Sequence, residues 1–227
     1  MRVKTAILGV SHLLILFTIV LSAVLIASTD RRFYWRQYQR LDVAGTVGVS
    51  FPQLTEATEV LLDYTVGLRS DMEYVTEIYG KSVSYYNERE MLHMADVRRL
   101  YQQAVILSIV TGITGLIGLV TLRGRQELWY ISLKQALVFL GSLLGFLGFY
   151  ALIDFDGFWT RFHLLLFTND LWLLNPARDR LILMVPLDFF TALFTRIFLI
   201  SVAAISGYSL LVFKLGRKRY EDKRSFV

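Results

Sequence analysis

Four long apolar runs divide the chain, and polar segments of unequal length separate them. Each run has about 18 or more residues with few charges, which is the pattern of a helix that crosses a bilayer. The runs are Thr5–Ser28, Gln102–Leu122, Leu128–Ile153 and Leu187–Phe213. At about 1.5 Å per residue, each is long enough for a hydrocarbon core about 30 Å thick. The predicted fold class is an all-α membrane protein, with four transmembrane helices and a small mixed extracellular cap.

This pattern predicts six consecutive parts of the chain. They are an N-terminal end with the first span (1–28), an extracellular cap (29–101), the second and third spans with their loop (102–153), an outer interfacial segment (154–186), the fourth span (187–213) and a basic cytoplasmic tail (214–227). The first run also has the charged start of a signal peptide. We expect a retained helix, because the run is long and no clean small-x-small cleavage site follows it.

Basic residues beside the spans predict the orientation. Arg2 and Lys4 precede the first span, Arg123 and Arg125 lie between the second and third, and more follow in 214–227. With four spans these segments share one side, which the positive-inside rule makes the cytoplasm. We expect a multi-pass protein of the bacterial plasma membrane with both termini cytoplasmic and the cap outside. The net charge of +5 then indicates contact with the phospholipid bilayer rather than with nucleic acid.

The cap should carry aromatic residues at headgroup depth, where amphipathic rings are enriched. The stretch "DRRFYWRQYQRL" contains Phe33, Tyr34, Trp35 and Tyr38. The Gly-rich "DVAGTVGVSF" predicts a loop or short strand. A helix is expected from about Thr55 to Gly67, and another from about Glu88 into the second span, since no Gly or Pro interrupts it. The apolar segment 154–186 is predicted to be interfacial or partly re-entrant, because irregular backbone at that depth needs cover.

Two of the three histidines are candidates for chemistry. His93 and Asp96 lie three residues apart on a predicted helix, so a carboxylate could orient the imidazole and favour its charged form. His163 follows the third span among large apolar residues. Taken singly, either could be a surface or a satisfied buried histidine. Together they map to the outer side at similar depth, which predicts a proton-transfer pair.

Other polar residues within or beside the spans have simpler interpretations. His12 lies early in the first span, where a structural role is expected. Arg196 lies in the fourth span and needs an acidic partner. Asp188 shares roughly its face, and a pair with another helix is the simpler expectation.

Residue usage excludes several kinds of site. The chain has no cysteine, so a thiol nucleophile and a thiolate metal site are both excluded. The motifs of zinc proteases, serine hydrolases, nucleotide-binding loops and dinucleotide-binding folds are absent. A zinc or iron site could draw on His93, His163, Asp96 and Asp170, although nothing in their spacing requires a metal. We therefore expect no cofactor and no metal.

Two stretches resemble a known family. "MLHMADV" before the second span and "FHLLLFTNDLWLLNPARDRLILMVPLDFF" before the fourth are similar to those of the bacterial lipoprotein intramolecular transacylases, four-helix membrane proteins with an extracellular cap. The resemblance implies that His93 and His163 are catalytic. It implies a site shaped by the neighbouring residues of both stretches: Asp96, Asn169, Trp172, Asp179, Trp159, Phe162 and Pro186.

The resemblance also implies an activity. The substrate would be a diacylated bacterial lipoprotein, whose sn-2 acyl chain moves to the α-amine of its own N-terminal cysteine to give the lyso form. This reaction closes through an eight-membered ring and needs no enzyme nucleophile. With Asp96 nearby, His93 is expected to be the better acid and His163 the better base.

Other functions stay open at this point. One is a non-enzymatic four-span partner or sensor, in which both histidines would be dispensable. Another is a metal-dependent hydrolase at the same interface, which a chelator would inactivate. A transporter is less consistent with the sequence, because the spans contain few polar residues to line a path.

Overall fold

The structure is a computed structural model that describes residues 2–78 and 80–224. Its elements follow one another along the chain with short connections. They are α1 (Arg2–Ala27), α2 (Arg31–Arg40), α3 (Val43–Val47), α4 (Phe51–Val66), β1 (Val75–Ile78), β2 (Lys81–Ser84), α5 (Glu88–Thr121), a 3₁₀ turn (Gln126–Leu128), α6 (Trp129–Ile153), α7 (Phe155–Leu166), α8 (Arg180–Met184) and α9 (Leu187–Arg224). The strands β1 and β2 form one antiparallel hairpin.

Four helices of the described chain, α1, α5, α6 and α9, are long and apolar enough to cross a membrane. The predicted four-span helical fold is therefore confirmed. Helix α5 starts at Glu88, as predicted, and its first turns are charged as far as Arg99, so its membrane-crossing part follows Arg99. Helix α9 continues beyond the predicted fourth span to Arg224, and the last three residues of the predicted tail lie outside the described residues.

Two compact units divide the chain. The first comprises the residues up to Val24, Val105–Trp159 and the residues from Ile197 onward. Its buried core includes side chains from α1, α5, α6 and α9: Leu8, Leu16, Leu119, Trp129, Leu133, Leu140 and Val212. His12 is fully buried in this unit, and its Nδ1 lies 2.6 Å from the hydroxyl of Tyr208. This contact agrees with the structural role expected for His12.

Small residues let α1 and α5 approach closely within the first unit. A Cβ on Gly115 would lie 2.9 Å from the backbone oxygen of Ser11, and one on Gly118 would overlap the Ser11 hydroxyl. Between the same helices, the hydroxyls of Thr18 and Thr111 are hydrogen-bonded at 2.8 Å. Glycines and hydroxyls on facing surfaces are a common solution in membranes, where apolar side chains gain little by leaving lipid.

The second unit comprises Leu25–Ala104 and Thr160–Arg196. The predicted loop or strand at "DVAGTVGVSF" is wrong, because Val43–Val47 forms α3. Gly48 ends this helix with φ of 79°, a left-handed conformation that glycine adopts without strain, so the glycine is a helix cap. Helix α4 begins earlier than the predicted Thr55, because Ser50 caps it through a capping box.

An aromatic cluster of the second unit corrects a further prediction. Phe33, Tyr34 and Tyr38 are buried rather than placed at the headgroups, and all three rings contact Phe189 of α9. The tyrosine hydroxyls are satisfied internally: Tyr34 donates to the Ser28 carbonyl and Tyr38 shares a 3.0 Å hydrogen bond with Thr58. A buried tyrosine with such a partner behaves as a core residue.

Arg196 has an acidic partner on another element, as expected. Its guanidinium is paired with Asp30, the residue that caps the N-terminus of α2, and not with Asp188. It also lies over the ring of Phe33, 5.1 Å from the centroid. A cation held by a carboxylate and an aromatic face is much less costly than an isolated charge at this position.

Candidate active site

His93 of α5 and His163 of α7 lie together in the second unit. Their ring centroids are 6.4 Å apart with an angle of 36° between the planes. Both residues are buried, with exposed fractions of 8% and 6%. Seventy positions separate them in the sequence, so the fold itself brings the two imidazoles together.

Aromatic rings enclose the two imidazoles. Phe167 contacts both, at 5.4 Å from His93 and 5.7 Å from His163. Trp172 stacks on His163 with centroids 4.7 Å apart and planes inclined by 26°. Phe162 meets His163 edge-on at 5.5 Å. The sequence analysis missed Phe167, although its place one helical turn beyond His163 was a usable signal.

Asp96 is directed toward the Trp172 side of the site. Its Oδ2 accepts a hydrogen bond of 2.7 Å from Nδ2 of Asn169, and its Oδ1 lies 3.3 Å from Arg99. The Asn169 carbonyl in turn accepts from Nε1 of Trp172 at 3.0 Å. Asp96 therefore orients the tryptophan that covers His163, whereas Nδ1 of His93 is buried and, among the described residues, has no hydrogen-bond partner.

Burial dominates the electrostatics of His93. It lowers the pKa of His93 from 6.5 to about 4, and the nearby His163 and Arg89 lower it further, whereas Asp96 raises it. Desolvation disfavours the charged imidazolium more than one partly screened carboxylate stabilises it. The expectation that Asp96 makes His93 the better acid is therefore wrong.

The remaining predicted residues lie in different places. Asp179 is buried and accepts from the backbone N–H of Asn175 at 2.5 Å. Pro186 accepts from the backbone N–H of Phe189 at the start of α9. Trp159 belongs to the first unit and stacks on Phe155 at 5.9 Å.

The residues considered for a metal site do not gather. The exposed Asp170 pairs with Arg89 at 3.4 Å. Within residues 2–78 and 80–224, no three His, Asp or Glu side chains are arranged to hold a metal ion.

Comparisons with known proteins agree with this geometry. The family model of the lipoprotein intramolecular transacylase Lit matches residues 9–190. An in meso structure of the membrane integral Lit from Bacillus cereus superposes with a TM-score of 0.72 at 22% identity, covering 99% of this chain and 97% of that one. Structures of the same protein with a histidine replaced by alanine or by arginine match with TM-scores of 0.71 at 21% identity; the alanine variant covers 99% of this chain and 95% of its own, and the arginine variant 100% and 94%. No curated protein sequence matches the chain. Because the family model spans most of its length, including both histidines, the chain belongs to the lipoprotein intramolecular transacylase family.

Proposed function

We propose that this protein moves the sn-2 acyl chain of a diacylglyceryl-cysteine lipoprotein to the α-amine of the same cysteine. The buried pair of His93 and His163 carries the proposal, together with the family to which the chain belongs. In the reaction, the amine nitrogen forms a bond to the acyl carbon and the ester oxygen leaves it. The amine loses one proton and the departing glyceryl oxygen gains one, so atoms and charge balance without a cofactor.

The protein's contribution in this scheme is confinement and proton transfer. Holding amine and ester in a productive geometry can lower the barrier by about 7–11 kcal/mol. Positioned acids and bases add about 10²–10⁴-fold. The buried rings of Phe167 and Trp172 around the histidines favour such confinement, because they leave little room for a competing water.

We assign the base to His93 and the acid to His163. Burial keeps His93 neutral near pH 7, and its unpartnered Nδ1 can accept a proton from the attacking amine. An amine that enters the same desolvated space also becomes less basic, which makes this transfer less uphill. The face of Trp172 against His163 stabilises an imidazolium, as expected for cation–π contacts. With ring centroids 6.4 Å apart, the pair favours one charge over two.

Tandem mass spectrometry of a synthetic diacylated lipopeptide tests the proposal. Intramolecular transfer leaves the intact mass unchanged, so the fragments must show an acyl group on the cysteine nitrogen. His93→Ala and His163→Ala should each lower the rate by about 10²–10⁴-fold. His12→Gln is the matched control, because His12 contacts Tyr208 in the other unit. Product formed at the wild-type rate by both alanine variants would refute the histidine mechanism, and loss of one acyl chain would indicate a hydrolase.

The proposed orientation places both termini in the cytoplasm and the histidine pair at the outer face of the plasma membrane, where diacylated lipoproteins and bilayer phospholipid would meet it. The basic residues Arg2, Lys4, Arg123 and Arg125 support this orientation. Because the chain lacks cysteine, single reporters can be introduced without background. Ser70→Cys in the cap segment should react with a membrane-impermeant maleimide on intact cells, and Gly124→Cys should not. The reverse pattern would invert the topology.

A further inference from the structure

Glu90, in the first turn of α5, is a buried carboxylate that the sequence analysis did not single out. Its exposed fraction is 1%. Its Oε2 accepts from the backbone N–H of Asn87 at 2.8 Å, and its Oε1 accepts from the backbone N–H of Leu181 in α8 at 2.5 Å. Each oxygen therefore serves a different segment of the chain.

Asn87 extends this contact to a second buried carboxylate. Its Oδ1 accepts from the backbone N–H of Glu90 at 3.0 Å, and its Nδ2 donates to Oδ1 of Asp179 at 2.7 Å. The other oxygen of Asp179 accepts from the N–H of Asn175. Asn87, Glu90, Asp179 and Leu181 form what we call the α5–α8 latch. Burial raises the pKa of Glu90, so a carboxylate here is costly, and its two N–H donors offset part of that cost.

The latch lies beside the histidine pair in the chain. His93 follows Glu90 by three residues, on the same side of α5. His163 lies near the end of α7, and the connection from α7 to α8 carries Trp172, which stacks on His163. The latch holds the far end of that connection against the start of α5.

We propose that Glu90 is a positioning residue for acyl transfer, an inference that rests on the proposed function. The latch fixes the connection that carries Trp172 relative to the helix that carries His93, and so sets the spacing of the two imidazoles and their exclusion of water. A shift of about 1 Å in such a site can cost about 10²-fold in rate. Glu90 touches no reacting atom in this role.

The chemistry of the latch requires a carboxylate at this position. Both partners of Glu90 are N–H donors, so both of its oxygens must accept. An amide of the same shape offers one acceptor and turns an NH₂ group toward a donor. Glu90→Gln therefore opens one side of the latch with almost no change in volume. Glu88→Gln is the matched control, because Glu88 is exposed in the same helical turn.

The test measures kcat, KM and the pH–rate profile of full-length variants in proteoliposomes, with a synthetic diacyl lipopeptide. Glu90→Gln should lower kcat on the order of 10–100-fold and leave KM within about twofold, because the latch lies outside the substrate contacts. Hydration of the loosened site should also move the acid limb, which we assign to His93 among His163, Asp96 and Arg89, toward higher pH by about one unit. Loss of stability alone would lower the active fraction without moving that limb.

A second variant covers the case in which Glu90→Gln does not fold. Asn87→Ser keeps a good helix cap but removes the donor to Asp179, and it should shift kcat and the acid limb in the same direction. If both measurements match Glu88→Gln for whichever variants fold, the latch has no positioning role. An inactive wild-type protein would refute the proposed function instead, so the two failures are distinguishable.

Discussion

Phe167 should control the acid limb of the pH–rate profile, because its ring covers both histidines. Burial lowers the pKa of His93 to about 4. If neutral His93 is the base, the rate should stay constant as the pH falls to about 5 and halve near pH 4. Phe167→Ala lets water reach the imidazole, which stabilises the imidazolium and raises the pKa of His93 toward 6.5.

The size of the effect follows from the contacts. Burial and neighbouring charges lower the pKa of His93 by about 2.5 units, equivalent to about 3.4 kcal/mol between its two protonation states. Phe167 is a principal aromatic neighbour, at 5.4 Å. If its removal restores close to half of the lost hydration, the midpoint rises by about one unit, to about pH 5. At pH 5 the wild type should then keep about nine tenths of its plateau rate, and Phe167→Ala about half.

The assay is the initial rate of N-acyl product formation between pH 3.5 and 8, with substrate well above KM. Phe162→Ala is the matched control, because Phe162 meets only His163 among the two imidazoles and its ring is 40% exposed. It should leave the acid midpoint in place. Because kcat reports ionisations of the substrate complex, the limb is read at saturation.

Two results would refute this reasoning. A wild-type acid midpoint near 6.5 would mean that burial does not govern the His93 pKa, and an unmoved midpoint in Phe167→Ala would mean that this ring does not seal the site. Stability should follow the same sign. The unfolded chain binds the His93 proton below about pH 6.5 and the native protein only near pH 4, so the free energy of unfolding should fall as pH falls through that window.

Two further predictions concern Trp172 and Asp30. Trp172→Leu removes the aromatic face from His163 and should lower kcat about 3–30-fold, as expected for a cation–π contact worth about 0.5–2 kcal/mol; Trp159→Leu is the control, and equal effects of both variants would contradict the role of stacking. Asp30→Asn leaves the charge of Arg196 without its carboxylate and should lower thermal stability by about 1–3 kcal/mol, read from the unfolding midpoint in detergent at neutral pH. An unchanged midpoint would show that the pair contributes nothing.

The helical architecture was predictable because it rests on long, strong patterns. Four apolar runs and an uninterrupted stretch from Glu88 were sufficient to predict the spans and the continuation of α5. The errors occurred where a short segment depends on its neighbours. Gly48 ends a helix instead of marking a loop. The rings of Tyr34 and Tyr38 are buried because Ser28 and Thr58 satisfy their hydroxyls, which no local pattern reveals.

The candidate site was predictable in its members more than in its wiring. The two histidines stood out because histidine is rare in this chain and both precede apolar runs. The partner of Asp96 is Asn169, more than seventy positions away, so its nearness to His93 along the helix was misleading. Glu90 was missed because a glutamate in the first turn of a helix is usually a solvent-exposed charge beside the helix dipole. Only the fold shows that it is buried.

The distribution of polar groups gives the second unit a consistent logic. In a reaction whose nucleophile and electrophile belong to one substrate, the protein gains most by fixing geometry and excluding water. Here the charged and amide side chains Glu90, Asp96, Asn169 and Asp179 are hydrogen-bonded to backbone or to each other. Nδ1 of His93, by contrast, is buried without a partner in the described chain. Leaving such an atom unsatisfied is costly for folding alone, and it is understandable if the missing partner is the amine of a bound substrate.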